Sequence, residues 1–202
     1  MNIKLKNKCQ NYNFENLFKK KGYTFFTNGD YNLNIIGIRA KGKLITNKFD
    51  DILCVIFKEK GIWKRYLYNI TTDPGLYYMT KGCLNKGCAI VVPGQYRGLW
   101  KIGLHKGQYE ALVQNKLVKV YRDKNKDKIY DFNPKTIDEG VFGINLHRAG
   151  KESIQIDNWS AGCQVFASAQ NFNEFMIFVN KQVKSGMGKT FTYTLLKEED
   201  LI

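Results

Sequence analysis

The groups able to carry covalent chemistry in this chain are few: two histidines, His105 and His147, and five cysteines, Cys9, Cys54, Cys83, Cys88 and Cys163. Cysteine beside histidine suffices for acyl transfer. The imidazole takes the thiol proton or stabilises the thiolate, because an adjacent imidazolium lowers a thiol pKa from about 8.5 by several units. The thiolate attacks a carbonyl, main-chain N–H groups hold the oxyanion, and the thioester passes to an amine or to water. Among the His/Cys combinations, His147 with Cys163 has the most informative context. The stretch Phe142-Gly143-Ile144-Asn145-Leu146-His147 predicts a strand with Phe142, Ile144 and Leu146 toward the core. Gly143, Asn145 and His147 then take the opposite face, so His147 is expected to be presented and not buried. Sixteen positions on, Cys163 follows Gly162 where an irregular loop enters the next element, a place that leaves a thiol accessible. A strand-end histidine with a small buried cysteine is the non-catalytic alternative.

Other residues invite weaker readings. His105 ends a second alternating strand, either lining a cleft or facing solvent. The segment Pro93-Gly94-Gln95-Tyr96-Arg97-Gly98 reads as a glycine-hinged substrate loop whose Tyr96 and Arg97 hold a carboxylate, or as an ordinary turn. Asp123, Asn125, Asp127 and Asp131 fall at positions 1, 3, 5 and 9 of a calcium-type loop, but Lys128 and Pro134 stand where an EF-hand has its glycine and glutamate. What remains there is a looser calcium site recruiting Asp138 or Glu139, or a polar surface turn. Cys83 and Cys88 lack the two further ligands of a zinc knuckle, and no cofactor is expected. The odd number and uneven spacing of the cysteines predict no disulfide framework and a reducing compartment of synthesis.

The elements that must position these groups read as mainly β with a few helices. A helix is expected over Phe14–Lys21, from Phe14, Leu17 and Phe18 at helical spacing and Gly22 as its stop. An apolar run at 33–38 follows a turn at Asn28-Gly29-Asp30. Residues 52–57 and 63–70 form a hairpin, and further strands are expected at 89–92, 99–104, 109–113, 117–121, 141–146, 153–156 and 190–196. A late helix is marked by Asn171 and Glu174 as a capping box and by Phe172, Phe175, Met176, Val179 and Val183 on one face.

At the His and Cys segments the chain resembles the L,D-transpeptidase (YkuD-type) catalytic domain. In that family a strand ending in His is followed, after a loop, by Ser/Thr-His-Gly-Cys. The matching elements here are Ile144-Asn145-Leu146-His147 and Ser160-Ala161-Gly162-Cys163-Gln164. Upstream, Ile52 to Phe57, Gly61 to Tyr68 and Asn69-Ile70-Thr71-Thr72-Asp73-Pro74-Gly75 look like the family's opening hairpin and the threonine/glycine turn after it. The resemblance covers roughly residues 50 to 196. It implies a β-sandwich or barrel-like catalytic domain at 50–202 with residues 1–49 as an N-terminal elaboration packed on it. It further implies Cys163 as nucleophile, His147 as base oriented by the main-chain carbonyl near Arg148, Ser160 and Gly162 shaping the loop and oxyanion hole, and Asn145 positioning substrate. The implied substrate is the peptidoglycan stem peptide, with transpeptidation or hydrolysis as the outcome. Ala161 stands where the family usually has a second histidine, Arg148 where it has glycine, and Gln164 where it often has arginine. A catalytically inactive wall-binding or virion module of the same fold is the alternative.

Composition narrows the partners. Lys plus Arg total 32 against 18 Asp plus Glu, a formal charge of +14. Most of the excess lies in residues 1–100, which suits an anionic mesh. Only five of the basic residues are Arg, so sequence-specific nucleic-acid recognition is not expected. No run of about 18 apolar residues suggests a membrane span, and no apolar h-region follows Met1 to Lys8. The expectation is therefore cytoplasmic synthesis without a signal peptide, followed by action on the cell wall as a phage lysis protein released by a holin or as a virion component.

Overall fold

The computed structural model describes residues 2–83 and 86–201. Its N-terminus is two short helices, α1 (Ile3–Gln10) and α2 (Phe14–Lys21). Asn2 and Asn13 cap them, each side chain accepting a main-chain N–H three residues on. Gly22, at φ +70°, ends α2 in the left-handed conformation. The first helix was not foreseen, because its lysines leave only Leu5 and Cys9 to bury. The strands β1 (Asn34–Arg39), β2 (Asp51–Glu59) and β3 (Ile62–Thr71) follow, then the short helix α3 (Leu76–Lys81). Next come β4 (Cys88–Val91), β5 (Gly94–His105), β6 (Tyr109–Gln114), β7 (Val118–Asp123), β8 (Asp138–Gly140), β9 (Leu146–Arg148) and β10 (Gln164–Phe166). Helix α4 (Ala169–Lys184) and strand β11 (Thr190–Lys197) complete the set.

Eight strands close a barrel in the order β1-β11-β5-β6-β9-β10-β3-β2, and β4-β7-β8 make a second, three-stranded sheet. The chain is thus mainly β. Both β1 and the first seven residues of β2 are buried on both faces, one side against the barrel core and the other under α1 and α2. The segment 34–39 is therefore a barrel strand, paired with β2 and, in parallel, with β11. Helix α4 lays Phe172, Phe175, Met176 and Val179 into the main core, each such burial stabilising by about 1.5–3 kcal/mol. Its cap is Ser168, not the expected Asn171: the Ser168 hydroxyl accepts the Asn171 N–H, while Glu174 accepts from the Tyr68 hydroxyl. Among the described residues no helix is long and apolar enough to cross a membrane.

One loop expectation and two strand expectations fail for local reasons. Residues 94–98 are the start of β5, not a hinged loop. Residues 141–145 are irregular: Gly143 has φ +74°, and the Gln114 carboxamide oxygen accepts the N–H groups of Phe142 and Ile144 that a ladder would otherwise satisfy. Residues 153–156 run as an irregular crossover, pinned by Ser153 N–H to the Ala167 carbonyl and Ile156 N–H to that of Asn47. The cysteine expectation also fails in part. Cys83 and Cys88 are joined in a disulfide with their Cα atoms 5.0 Å apart, and the residue before each, Gly82 and Gly87, is at positive φ.

Candidate active site

Strands β9 and β10 pair in parallel, Leu146 opposite Gln164 and His147 opposite Val165. Paired residues share a face and so do residues two apart, so continuing the register by one residue ahead of β10 carries Cys163 to the face of His147. Parallel neighbours require a crossover, and here it is residues 149–163. That loop is held from outside by Asn47. Its side-chain oxygen accepts from the N–H groups of Asp157 and Leu76, and its amide donates to the Asp157 carboxylate at 2.6 Å. The N-terminal segment thereby helps to place the cysteine.

The turn at Ser160–Cys163 is built for its side chains. The Ser160 hydroxyl donates to the Cys163 carbonyl at 2.8 Å and accepts the Gly162 N–H at 3.1 Å. Gly162 has φ +139°, and a Cβ there would lie 2.1 Å from the Ala89 carbonyl oxygen. Gly162→Ala is expected to cost at least about 1–3 kcal/mol and to displace Cys163, measured as a lower urea midpoint together with slower thiol alkylation. Beneath the turn, buried Gln164 accepts from the Tyr193 hydroxyl and donates to the Gly162 carbonyl. Because Ser160 occupies the Gly162 N–H, this group is not the free oxyanion donor expected of it. The Cys163 N–H has no hydrogen-bond partner among the described residues and is available for that role.

Cys163 is partly exposed, and its thiol donates to the Gly143 carbonyl at 3.3 Å. Burial pushes its pKa up, partly offset by the Asn145 main-chain N–H and by Lys106. His147, expected on the surface, is only 3% exposed. Burial, the neighbouring His105 and the Lys106 and Arg148 cations hold it down to about 3 against the hydrogen bond to the Arg148 carbonyl. The resting pair is therefore neutral thiol and neutral imidazole, not thiolate and imidazolium. Among the described residues no hydrogen bond joins the two.

An imidazole that stays neutral in the fold but charges in the unfolded chain destabilises the fold as pH falls below the ordinary 6.5 toward about 3. The slope is about 1.4 kcal/mol per pH unit. Wild type should show that extra slope relative to His147→Gln in urea unfolding between pH 6 and pH 4. Equal slopes would contradict a neutral buried His147.

His105 does not face solvent. It is 7% exposed and stacks on His147 with ring centroids 3.9 Å apart and planes 18° from parallel. Asn145 contacts His105 Nδ1 through its side-chain amide at 3.2 Å, and its side-chain oxygen accepts the Gln114 N–H, so it supports the histidine and does not reach into the cleft. The Arg148 carbonyl accepts from the Tyr109 hydroxyl as well as facing His147 Nδ1 at 3.0 Å, while the Arg148 guanidinium lies over the Tyr109 ring. Tyr109 carries no sequence signal that would have marked it.

A cleft of about 800 Å³ leads to Cys163. Its walls include Tyr77, Phe142, Lys81, Lys86 and Arg122, and among the described residues no carboxylate lines it, although Asp138 pairs with both Lys86 and Arg122. Arg122 is held by Asp138 at 3.1 Å and lies over Phe142 at 4.3 Å. The structure does not bring Tyr96 and Arg97 here: Tyr96 donates to the Val92 carbonyl, and Arg97 engages Thr24 and the Phe26 ring. At the calcium-type loop, the Asn125 amide donates to both Asp127 and Asp131, and Asp123 accepts the Asp131 N–H. Donors thus occupy the centre where a cation would need oxygens. Among the described residues no group of three or more His, Cys, Asp or Glu side chains is placed to hold a metal ion.

Compared with protein-family models, with curated proteins and with solved structures, the chain matches none.

Proposed function

We propose that the chain is a cysteine acyltransferase of the L,D-transpeptidase type, acting on peptidoglycan stem peptides. The observation that carries this reading is a free cysteine at the end of a basic, aromatic-walled cleft, with a buried histidine on the adjacent parallel strand whose Nδ1 is bound to the carbonyl that follows it. Substrate closure would bring His147 Nε2 and the thiol together. Nε2 takes the proton, sulfur attacks the peptide carbonyl, and the Cys163 N–H steadies the oxyanion. Collapse of that intermediate breaks the C–N bond to the terminal D-alanine, which leaves with the proton returned by His147. An amine then accepts the acyl group in transpeptidation, or water in hydrolysis. The cations of the cleft suit a donor that carries carboxylates.

Incubation with defined tetrapeptide muropeptides tests the reading, with Cys163-dependent release of D-alanine expected and an added amine acceptor separating transferase from hydrolase. The missing thiol–imidazole bond favours a second reading, an inactive basic wall-binding or virion module. It predicts unchanged muropeptide with retained wall binding.

A further inference from the structure

We propose that His105 is a positioning residue for His147: a ring fixed by Asn145 that clamps the base in one plane and one tautomer. The proposal rests on the reading of His147 as the base. The hydrogen-bond partners assign each proton. A main-chain N–H can only donate, so the Asn145 atom facing Gln114 N is oxygen, and its amide nitrogen faces His105. That nitrogen can only donate, so His105 Nδ1 is its acceptor and the ring's proton is on Nε2. The Arg148 carbonyl can only accept, so His147 Nδ1 bears hydrogen and Nε2 keeps the lone pair that a general base needs. The two rings then stack nearly parallel at 3.9 Å, excluding water from one face of His147. Charging His105 would require it to abandon Asn145 and would set two cations face to face.

The titratable and charged groups around His147 are His105 and Lys106 at the end of β5, Tyr109 on β6, Arg148 on its own strand and Cys163 ahead of β10. Lys106 and Arg148 both oppose protonation of His147. His105 is thus the neutral wall of a site already biased against a cation. It acts through His147 and touches no reacting atom.

With two histidines in the chain, long-range ¹H–¹⁵N spectra of the full-length protein give two resolvable ring systems. The expected result in wild type is His147 as the Nδ1–H form, not titrating between pH 5 and pH 8, and His105 as the Nε2–H form, titrating below the ordinary imidazole range because of its burial. In His105→Leu, which keeps bulk but loses the flat face and the acceptor, His147 should lose its single tautomer and show Nε2–H as well as Nδ1–H signals, while burial, Lys106 and Arg148 still oppose its charging. Turnover of the muropeptide should fall about tenfold in kcat with KM little changed, whereas His105→Phe, which restores the flat face, should keep His147 in the Nδ1–H form alone. A wild-type His147 that titrates near 6.5 or shows the Nε2–H form overturns the proposal, even should both variants fail to fold. An unchanged His147 spectrum in a folded His105→Leu overturns it as well. The spectra need no substrate, so inactivity toward muropeptides would count against the acyl-transfer reading and not against this one.

Discussion

On the proposed reading, Cys163→Ala is expected to remove D-alanine release almost completely, by on the order of 10⁴-fold or more, as removal of the nucleophile does in characterised acyl-transfer enzymes. No other thiol can substitute. Cys9 and Cys54 are buried in the apolar layer beneath α1 and α2, where burial pushes Cys9 up to about 12 and Cys54 higher still, and Cys83 and Cys88 are paired with each other. His147→Ala should cost nearly as much as Cys163→Ala, and the double variant little more than either, because the two act on one proton. The pH profile carries a sharper signature. With His147 held down to about 3 and the thiol pushed up, kcat/KM should stay flat from about pH 5 to pH 8. An acid limb near 6.5 would show instead that His147 ionises in the free enzyme. The family resemblance adds a covalent readout: a carbapenem should add one mass equivalent to wild type and none to Cys163→Ala, seen by intact-protein mass spectrometry.

The Cys163 and His147 pair stood out as a candidate because cysteine and histidine are scarce in this chain and one of each lies in a patterned segment. The hairpin β2–β3, helix α2, strand β11 and the apolar face of α4 were legible for a similar reason, since each buries a periodic set of side chains. What the periodicity misses are interactions between distant segments. Strand β1 belongs to the barrel through a parallel pairing with β11, more than 150 residues away, which no local pattern encodes. The His105–His147 stack forms because β6 brings the end of β5 beside β9, two strands not themselves paired. The predicted strand at 141–146 was misread because alternation says nothing about φ. One glycine at φ +74° and one glutamine side chain replace the ladder there, and that irregularity places the Gly143 carbonyl against the thiol. The burial of His147 follows from the same packing.

Arg39 shows how far from the cysteine the site is held together. Its buried guanidinium donates to the Thr72 hydroxyl, the Thr72 carbonyl and the Val91 carbonyl, tying β1 to the turn after β3 and to β4. Arg39 Nε also lies 2.8 Å from Asp73 Oδ1, an ionic contact without an aligned hydrogen bond. Asp51 sits beside it, accepting from Ala40 N–H and from both the N–H and hydroxyl of Thr72. Burial, followed by the Asp73 charge, pushes Asp51 up to about 8, and burial raises Asp73 against the pull of Arg39. Arg39→Met leaves these buried carboxyls without their cation and is expected to cost about 3–5 kcal/mol at pH 8. At pH 5 the carboxyls take up protons and the cost should shrink to that of the lost hydrogen bonds, about 1–2 kcal/mol. The sign follows from linkage: a carboxyl whose folded pKa is raised contributes stability that is present at low pH and lost as pH rises through the folded value. Urea unfolding at the two pH values measures the difference, and Arg39→Met with Asp73→Asn should recover part of the loss at pH 8. A deficit equal at both pH values would mean that packing against Phe132, and not charge, is what Arg39 supplies. The consequence reaches the active site through Gly75, whose N–H donates to the Ser160 carbonyl at 2.8 Å, so loosening the turn at 72–75 should slow Cys163 alkylation even where the barrel stays folded.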